Sequence, residues 1–158
     1  MAASHAYYRK VMDALTLPTP HARAQVRTLQ PADFAVLANF RHELRRFALF
    51  SEAEAQAQGL APQQHQALLA VKACAAAPTV TDLAQRLCIK PHSAAELVSR
   101  LVQMGLLARK ADPDDGRRAL LRLTPQAEHT LDALSTVHLE QLQNIRPLLE
   151  GLLQKFGG

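Results

Sequence analysis

The sequence has little of what several classes of protein need. Its 158 residues include two cysteines, six glycines and no tryptophan. Two cysteines make no disulfide framework, and the glycines match neither a dinucleotide-binding loop nor a P-loop. No apolar run is long enough to span a bilayer, and the N-terminus lacks the apolar core of a signal peptide. We therefore expect a cytoplasmic protein with no membrane segment and no bound cofactor.

The chain also lacks the spacings that are typical of metal and catalytic sites. Its seven histidines form no H-x₃-H pair, so no metal ligands are predicted. Asp114 and Asp115 are adjacent in a turn, which fits acid–base catalysis poorly, so we expect no catalytic residues and no enzyme. Cys88 lies near Lys90 and is the better candidate of the two cysteines for a reactive thiol. A redox- or metal-responsive regulator therefore remains an alternative.

The positive charge is concentrated in one segment. Residues 86–122 contain eight basic and four acidic residues, a net charge of +4, whereas the rest of the chain has ten of each. A basic cluster on an otherwise neutral chain predicts a polyanion-binding surface. None of the seven aromatic residues lies in this segment. Because unpaired bases are bound by stacking on aromatic rings, duplex DNA is favoured over single strands.

Prolines and turn residues delimit the predicted elements. Proline at the first position favours a helix start, and glycine favours a helix end. We expect a partly disordered N-terminal arm over 1–29, then a long helix from Pro31 that ends at Gly59. Further helices are expected at 62–76, 80–87, 91–104 and 125–143, with a hairpin of strands 106–111 and 119–123. Pro147 is expected to break the last helix, with a separate short apolar helix after it.

The middle of the chain predicts a winged helix-turn-helix. Two short helices joined by a tight turn are followed directly by a two-stranded hairpin. The second helix has one apolar face and one polar face, which suits the major groove, and basic residues at the hairpin tip suit a minor groove. The candidate DNA-binding residues are Lys90, His92, Ser93, Ser99, Arg100, Arg109, Asp115, Arg117 and Arg118. For Arg100, an ion pair with Glu96 is an equal alternative.

Several motifs resemble those of the MarR family of transcriptional regulators. They are Thr81-Asp-Leu-Ala84, Leu97-Val-Ser-Arg-Leu101 and Asp112-Pro-Asp-Asp-Gly-Arg-Arg118. The last resembles the family's wing signature, with Asp115 two positions before Arg117. The resemblance implies a mainly helical fold with a small β-hairpin wing, in which a helical dimerisation domain (30–60 and 125–158) flanks the DNA-binding domain (61–124). It also implies a homodimer on a palindromic operator.

The resemblance further implies a ligand-responsive repressor. A small aromatic acid is the expected effector, and Arg41, His42 and Arg45 are candidates to bind its carboxylate. Cys88 stands in the turn where the family usually has glycine, so we expect this turn not to need a positive φ angle. A protein-interaction module and an architectural DNA-binding protein remain as other interpretations.

Overall fold

The computed structural model describes residues 29–113, 115–116 and 118–156. The predicted N-terminal arm therefore lies outside the described residues, apart from its last position, as do Asp114 and Arg117. The described elements are α1 (Pro31–Ala57), α2 (Pro62–Lys72), α3 (Val80–Arg86), α4 (Pro91–Gln103), β1 (Leu107–Ala111), β2 (Ala119–Leu123) and α5 (Pro125–Phe156). This mainly helical chain with one small hairpin confirms the predicted fold class.

The two strands form an antiparallel hairpin whose register runs from Leu107 opposite Leu123 to Ala111 opposite Ala119. The hairpin is tied to the helices by a further backbone bond. The N–H of Leu121 donates to the carbonyl of Pro78, in the segment before α3, over 2.8 Å. The wing is thereby attached at its base to the helix-turn-helix.

One leucine from almost every element meets in a shared core. Leu68 of α2, Leu83 of α3, Leu101 of α4, Leu121 of β2 and Leu131 of α5 are all at most 2% exposed. Burying each such side chain stabilises the fold by about 1.5–3 kcal/mol. The orientation of α4 and of the hairpin is thus set by apolar packing against α2, α3 and the start of α5.

The turn between α3 and α4 differs from its prediction. Cys88 has a φ of +53°, so the expectation that this turn avoids a positive φ is wrong. The reason lies in how the turn closes after α3. The N–H of Cys88 donates to the carbonyl of Gln85, and that of Ile89 to the carbonyl of Ala84. These are the backbone bonds of a helix end that is capped by a residue in the left-handed conformation. The chain has cysteine at this position, where glycine would have less backbone strain.

The last helix also differs from its prediction. α5 runs without interruption from Pro125 to Phe156, and Pro147 lies inside it, so the predicted break and separate short helix are wrong. An internal proline removes one backbone hydrogen bond. Ile145 is buried and Leu148 is half-buried on either side of Pro147, so packing holds both neighbouring turns in place. No helix in the described part of the chain is long and apolar enough to cross a membrane.

Candidate nucleic-acid interface

α4 presents one face to the core and the other to solvent. The buried face consists of Ala94, Leu97, Val98 and Leu101. The outward face carries four exposed side chains at successive helical turns, His92, Glu96, Arg100 and Gln103. Of the other residues predicted to contact DNA on or before this helix, Lys90 is exposed and Ser93 and Ser99 are half-buried. The helix therefore offers a polar, solvent-facing surface of the kind that enters a major groove.

Lys90 occupies the N-cap position of α4 without capping it. Its side chain makes no capping hydrogen bond, and Pro91 stands at the first position of the helix. An ammonium group has no acceptor to offer to the first helical N–H groups. The exposed Lys90 ammonium is therefore left at the entrance of α4, where a phosphate would find both its charge and the N–H groups.

Arg100 is paired with Glu96 in the structure. The Arg100 Nη2 atom lies 3.4 Å from the Glu96 Oε2 atom, one helical turn away, and both side chains are about two-thirds exposed at 66% and 65%. The ion pair that was one of the two alternatives for Arg100 is thus present. Exposed pairs of this kind contribute only about 0.2–0.5 kcal/mol, so the pair leaves Arg100 able to bind elsewhere.

Arg109 connects the hairpin to α4. Its Nη2 atom donates to the Ser99 hydroxyl over 3.0 Å. The same hydroxyl donates to the Ala95 carbonyl over 2.8 Å. Two residues predicted separately as DNA contacts are thereby brought together, and the bond joins β1 to α4. We expect this bond to fix the angle between the two parts that would enter neighbouring grooves.

Arg118 closes the base of the wing loop. Its N–H donates to the Asp115 carbonyl over 2.9 Å, and its own carbonyl accepts from the Asp112 N–H over 3.0 Å. The Arg118 Nε atom also lies 3.8 Å from the Asp112 carboxylate. Arg118 therefore has a structural role besides its predicted contact with DNA. The predicted positioning of Arg117 by Asp115 lies outside the described residues.

Asp82, in the first turn of α3, lies within electrostatic range of the wing residue Arg118, a proximity that the sequence analysis missed. Burial works against the charged carboxylate, but hydrogen bonds from the Thr79 N–H and hydroxyl lower the pKa of Asp82. The nearby charges of Arg118 and Arg86 lower it further. The Thr79–Asp82 spacing predicts the capping box, but the approach of Arg118, 36 positions further along the chain, depends on tertiary packing.

A second group of polar residues lies where the long helices meet α2. His65 of α2 is only 6% exposed, and its ring centroid lies 5.0 Å from that of His138 in α5. His138 is held by the Leu134 carbonyl through Nδ1 and by the Ser51 hydroxyl, 2.6 Å from Nε2. Burial and the neighbouring His138 both lower the pKa of His65. The sequence analysis also missed this pair, since its members come from separate helices.

The predicted effector residues are exposed and lie apart from the cavity between α1 and α5. Arg41, His42 and Arg45 all face solvent on α1. The cavity has a volume of about 690 Å³. It is lined by Asn39, Glu43, Arg46, Gln141, Asn144, Ile145, Pro147 and Leu148. The geometry therefore gives two separate features on α1, a cationic face and a polar cavity.

Comparison with known proteins connects one segment of the chain to a family. Residues 58–118, which span α2 to the wing loop, match a family model described as the MarR family. Over this segment the chain is similar to the MarR family. The search of curated proteins found no match. The family model stops before β2 and α5, so the fold of the remaining helices is compared through solved structures.

Solved MarR-family structures share the fold of this chain over most of its length. MepR of Staphylococcus aureus, a transcription regulator of the multidrug efflux pump MepA, superposes with a TM-score of 0.65 at 18% identity, covering 73% of this chain and 91% of MepR. MarR of E. coli gives a TM-score of 0.61 at 20% identity, with 82% and 98% coverage. A MepR mutant bound to an oligodeoxyribonucleotide gives 0.62 at 19% identity, with 75% and 92% coverage. The chain therefore shares its fold with these transcription regulators.

Proposed function

We propose that this chain is a transcriptional regulator of the MarR type that binds double-stranded DNA of a defined sequence. In this proposal α4 enters the major groove and the wing follows the neighbouring minor groove. The observation that carries it is the bond from Arg109 of β1 to Ser99 of α4, which brings predicted DNA contacts of the wing and the helix together. The basic segment 86–122 supplies the charge that duplex phosphates require.

The proposed DNA-binding unit is a homodimer. Large apolar side chains are exposed along both long helices: Phe34, Leu37, Leu44 and Leu49 on α1, and Leu139 and Leu142 on α5. A second copy of the chain would remove this apolar surface from water, which is the main driving force for association. Residues 30–60 and 125–158 then form the dimerisation domain, and residues 61–124 bind DNA. The two-fold symmetry of the dimer predicts a palindromic operator, with half-sites about 34–36 Å apart.

The proposal extends to a repressor that responds to a ligand. A small aromatic acid would bind at the cationic face of Arg41, His42 and Arg45 on α1. An effector acts by binding more tightly to the dimer whose two α4 helices have the wrong separation for the operator. A thermal-shift screen of aromatic acids with wild type and Arg45→Ala tests this step, and equal shifts for both proteins would contradict the assigned residues.

Selection from a pool of random duplexes is the direct test of DNA binding. We expect enrichment of a palindrome and an affinity that falls steeply with salt. Arg117→Ala is expected to weaken binding to the selected duplex by about 1–3 kcal/mol in a mobility-shift titration. Arg146→Ala, a change of the same charge near the end of α5, serves as the control. Selection of no duplex would contradict the proposed function and favour a protein-interaction module.

A further inference from the structure

The outward row of α4 has an acid in its middle. His92, Glu96, Arg100 and Gln103 follow one another at intervals of four, four and three residues, so they share one side of the helix. Glu96 is the only acidic residue of α4. Any duplex that docks on this row therefore meets a carboxylate at its centre, within a segment whose net charge is otherwise positive.

A carboxylate at this place favours some duplexes over others. Phosphates repel it, so it weakens binding that depends on the DNA backbone alone. In the major groove, however, the cytosine N4 amino group donates hydrogen bonds to carboxylates, and guanine O6 and N7 accept them from arginine. Both groups of a G·C base pair lie side by side on the groove floor. A neighbouring carboxylate and guanidinium on one helix face match this pattern.

The Glu96–Arg100 pair has the exposure that such reading requires. The two charged groups are 3.4 Å apart, and each side chain is about two-thirds exposed. Both residues belong to the same helix, so the pair joins no two elements of the fold. Arg109, by contrast, reaches from β1 to Ser99. Because the fold does not depend on the Glu96–Arg100 pair, both side chains are available to bases.

We infer that Glu96 and Arg100 act together as the specificity pair of α4, selecting a G·C base pair opposite the middle of the helix. Arg100 donates to guanine O6 and N7, and Glu96 accepts from the cytosine amino group and disfavours duplexes that lack it. This inference rests on the proposed DNA-binding function and adds which base pair the helix selects. It predicts that Glu96 lowers affinity for unrelated DNA and thereby raises discrimination.

The test compares four proteins on the duplex selected by wild type and on a scrambled duplex, at one fixed salt concentration. The variants are Glu96→Gln, Arg100→Lys and the control Glu150→Gln. Glu150 forms the same kind of one-turn pair, with Arg146 at 2.7 Å, near the end of α5. Glu96→Gln and Glu150→Gln change the net charge equally, so their difference isolates position from overall charge. Circular dichroism checks that helix content is unchanged.

We expect Glu96→Gln to bind the scrambled duplex several-fold more tightly than wild type, while Glu150→Gln does not. Arg100→Lys is expected to lose about tenfold in discrimination at one G·C position, because lysine cannot form the paired bonds to guanine. Equal effects of Glu96→Gln and Glu150→Gln, with base preference unchanged in Arg100→Lys, would overturn the assignment of the specificity pair. The proposed DNA-binding function would still stand. Failure of wild type to select any duplex would overturn the proposed function as well.

Discussion

At the scale of single residues, Cys88 has a backbone conformation that its side chain makes costly. Its φ of +53° lies in the left-handed region, where a Cβ atom costs about 1–2 kcal/mol. Cys88 is exposed, so apolar packing of its side chain does not offset this backbone strain. The turn between α3 and α4, which sets the direction of α4, therefore lowers the stability of the fold.

Cys88→Gly is expected to raise the free energy of unfolding by up to about 1 kcal/mol, because relief of the strain exceeds the extra chain entropy of glycine. Denaturant unfolding measures the change. Cys88→Ala removes the thiol but keeps the Cβ atom, so it should leave stability close to wild type. A gain of equal size in both variants would assign the cost to the thiol instead.

The arginines of the wing separate what could be predicted from the sequence from what needed the structure. Charge and position predicted Arg109 and Arg118 as DNA contacts, and the structure adds a protein partner for each. Arg109 donates to Ser99, ten positions away, and Arg118 lies beside Asp112 across the wing loop. A sequence gives the residue types at a turn but does not give the distance between side chains from two elements. The bridging role of each arginine therefore appears only in the folded chain.

At the scale of elements, helix starts could be predicted because local chemistry decides them. Pro31, Pro62, Pro91 and Pro125 each stand at the first helical position. Pro147 shows where this reasoning fails, since an internal proline is tolerated when its neighbouring turns are packed. Whether a local breaker ends a helix depends on burial, which the sequence around Pro147 does not specify.

Thr79→Ala is expected to lower the free energy of unfolding by about 1 kcal/mol. The Thr79 hydroxyl accepts from the Asp82 N–H over 3.2 Å, and its loss leaves the first turn of α3 uncapped. Thermal or denaturant unfolding measures the loss. Thr81→Ala, at an exposed position two residues later, is the control and should change stability by less than about 0.5 kcal/mol. Equal losses in both variants would show that helix propensity, not capping, is responsible.

The junction of α1, α2 and α5 is expected to make stability depend on pH in the mildly acidic range. Burial and His138 lower the pKa of His65 from its ordinary value of 6.5. The unfolded chain therefore binds a proton more readily than the folded one, so stability is full above pH 6.5 and falls as the pH drops through 6.5 towards the folded-state pKa.

Denaturant unfolding between pH 7.5 and about pH 5 measures this dependence. His65→Gln should flatten the curve, whereas His129→Gln, at an exposed position on α5, should leave it unchanged. The carboxylate of Asp82 contributes little here, because its lowered pKa places its titration at more acidic pH. A curve for His65→Gln that stays as steep as that of wild type would show that His65 is not the group responsible.

At the scale of the whole molecule, the apolar surface of the long helices predicts the oligomeric state. Leu139 of α5 is 61% exposed in the single chain. Leu139→Glu should shift the protein towards monomers and weaken operator binding, because a charge inside an apolar interface is left unpaired. Sedimentation velocity measures the shift. Leu69→Glu places the same change on α2, at 45% exposure, and should remain dimeric. A monomeric wild type would contradict the proposed dimer.

One long helix, α5, follows the wing directly. Thr124 stands immediately before this helix and connects it to the end of α4. Its hydroxyl donates to the Gly105 carbonyl after α4 and accepts from the Ala127 N–H in the first turn of α5. The 32 residues of α5 extend for about 48 Å. A tilt of the whole helix by about 5° around Thr124 would move its far end by about 4 Å. A rotation of the wing and α4 that α5 followed as a rigid rod would therefore displace the distant end of the helix by several ångströms.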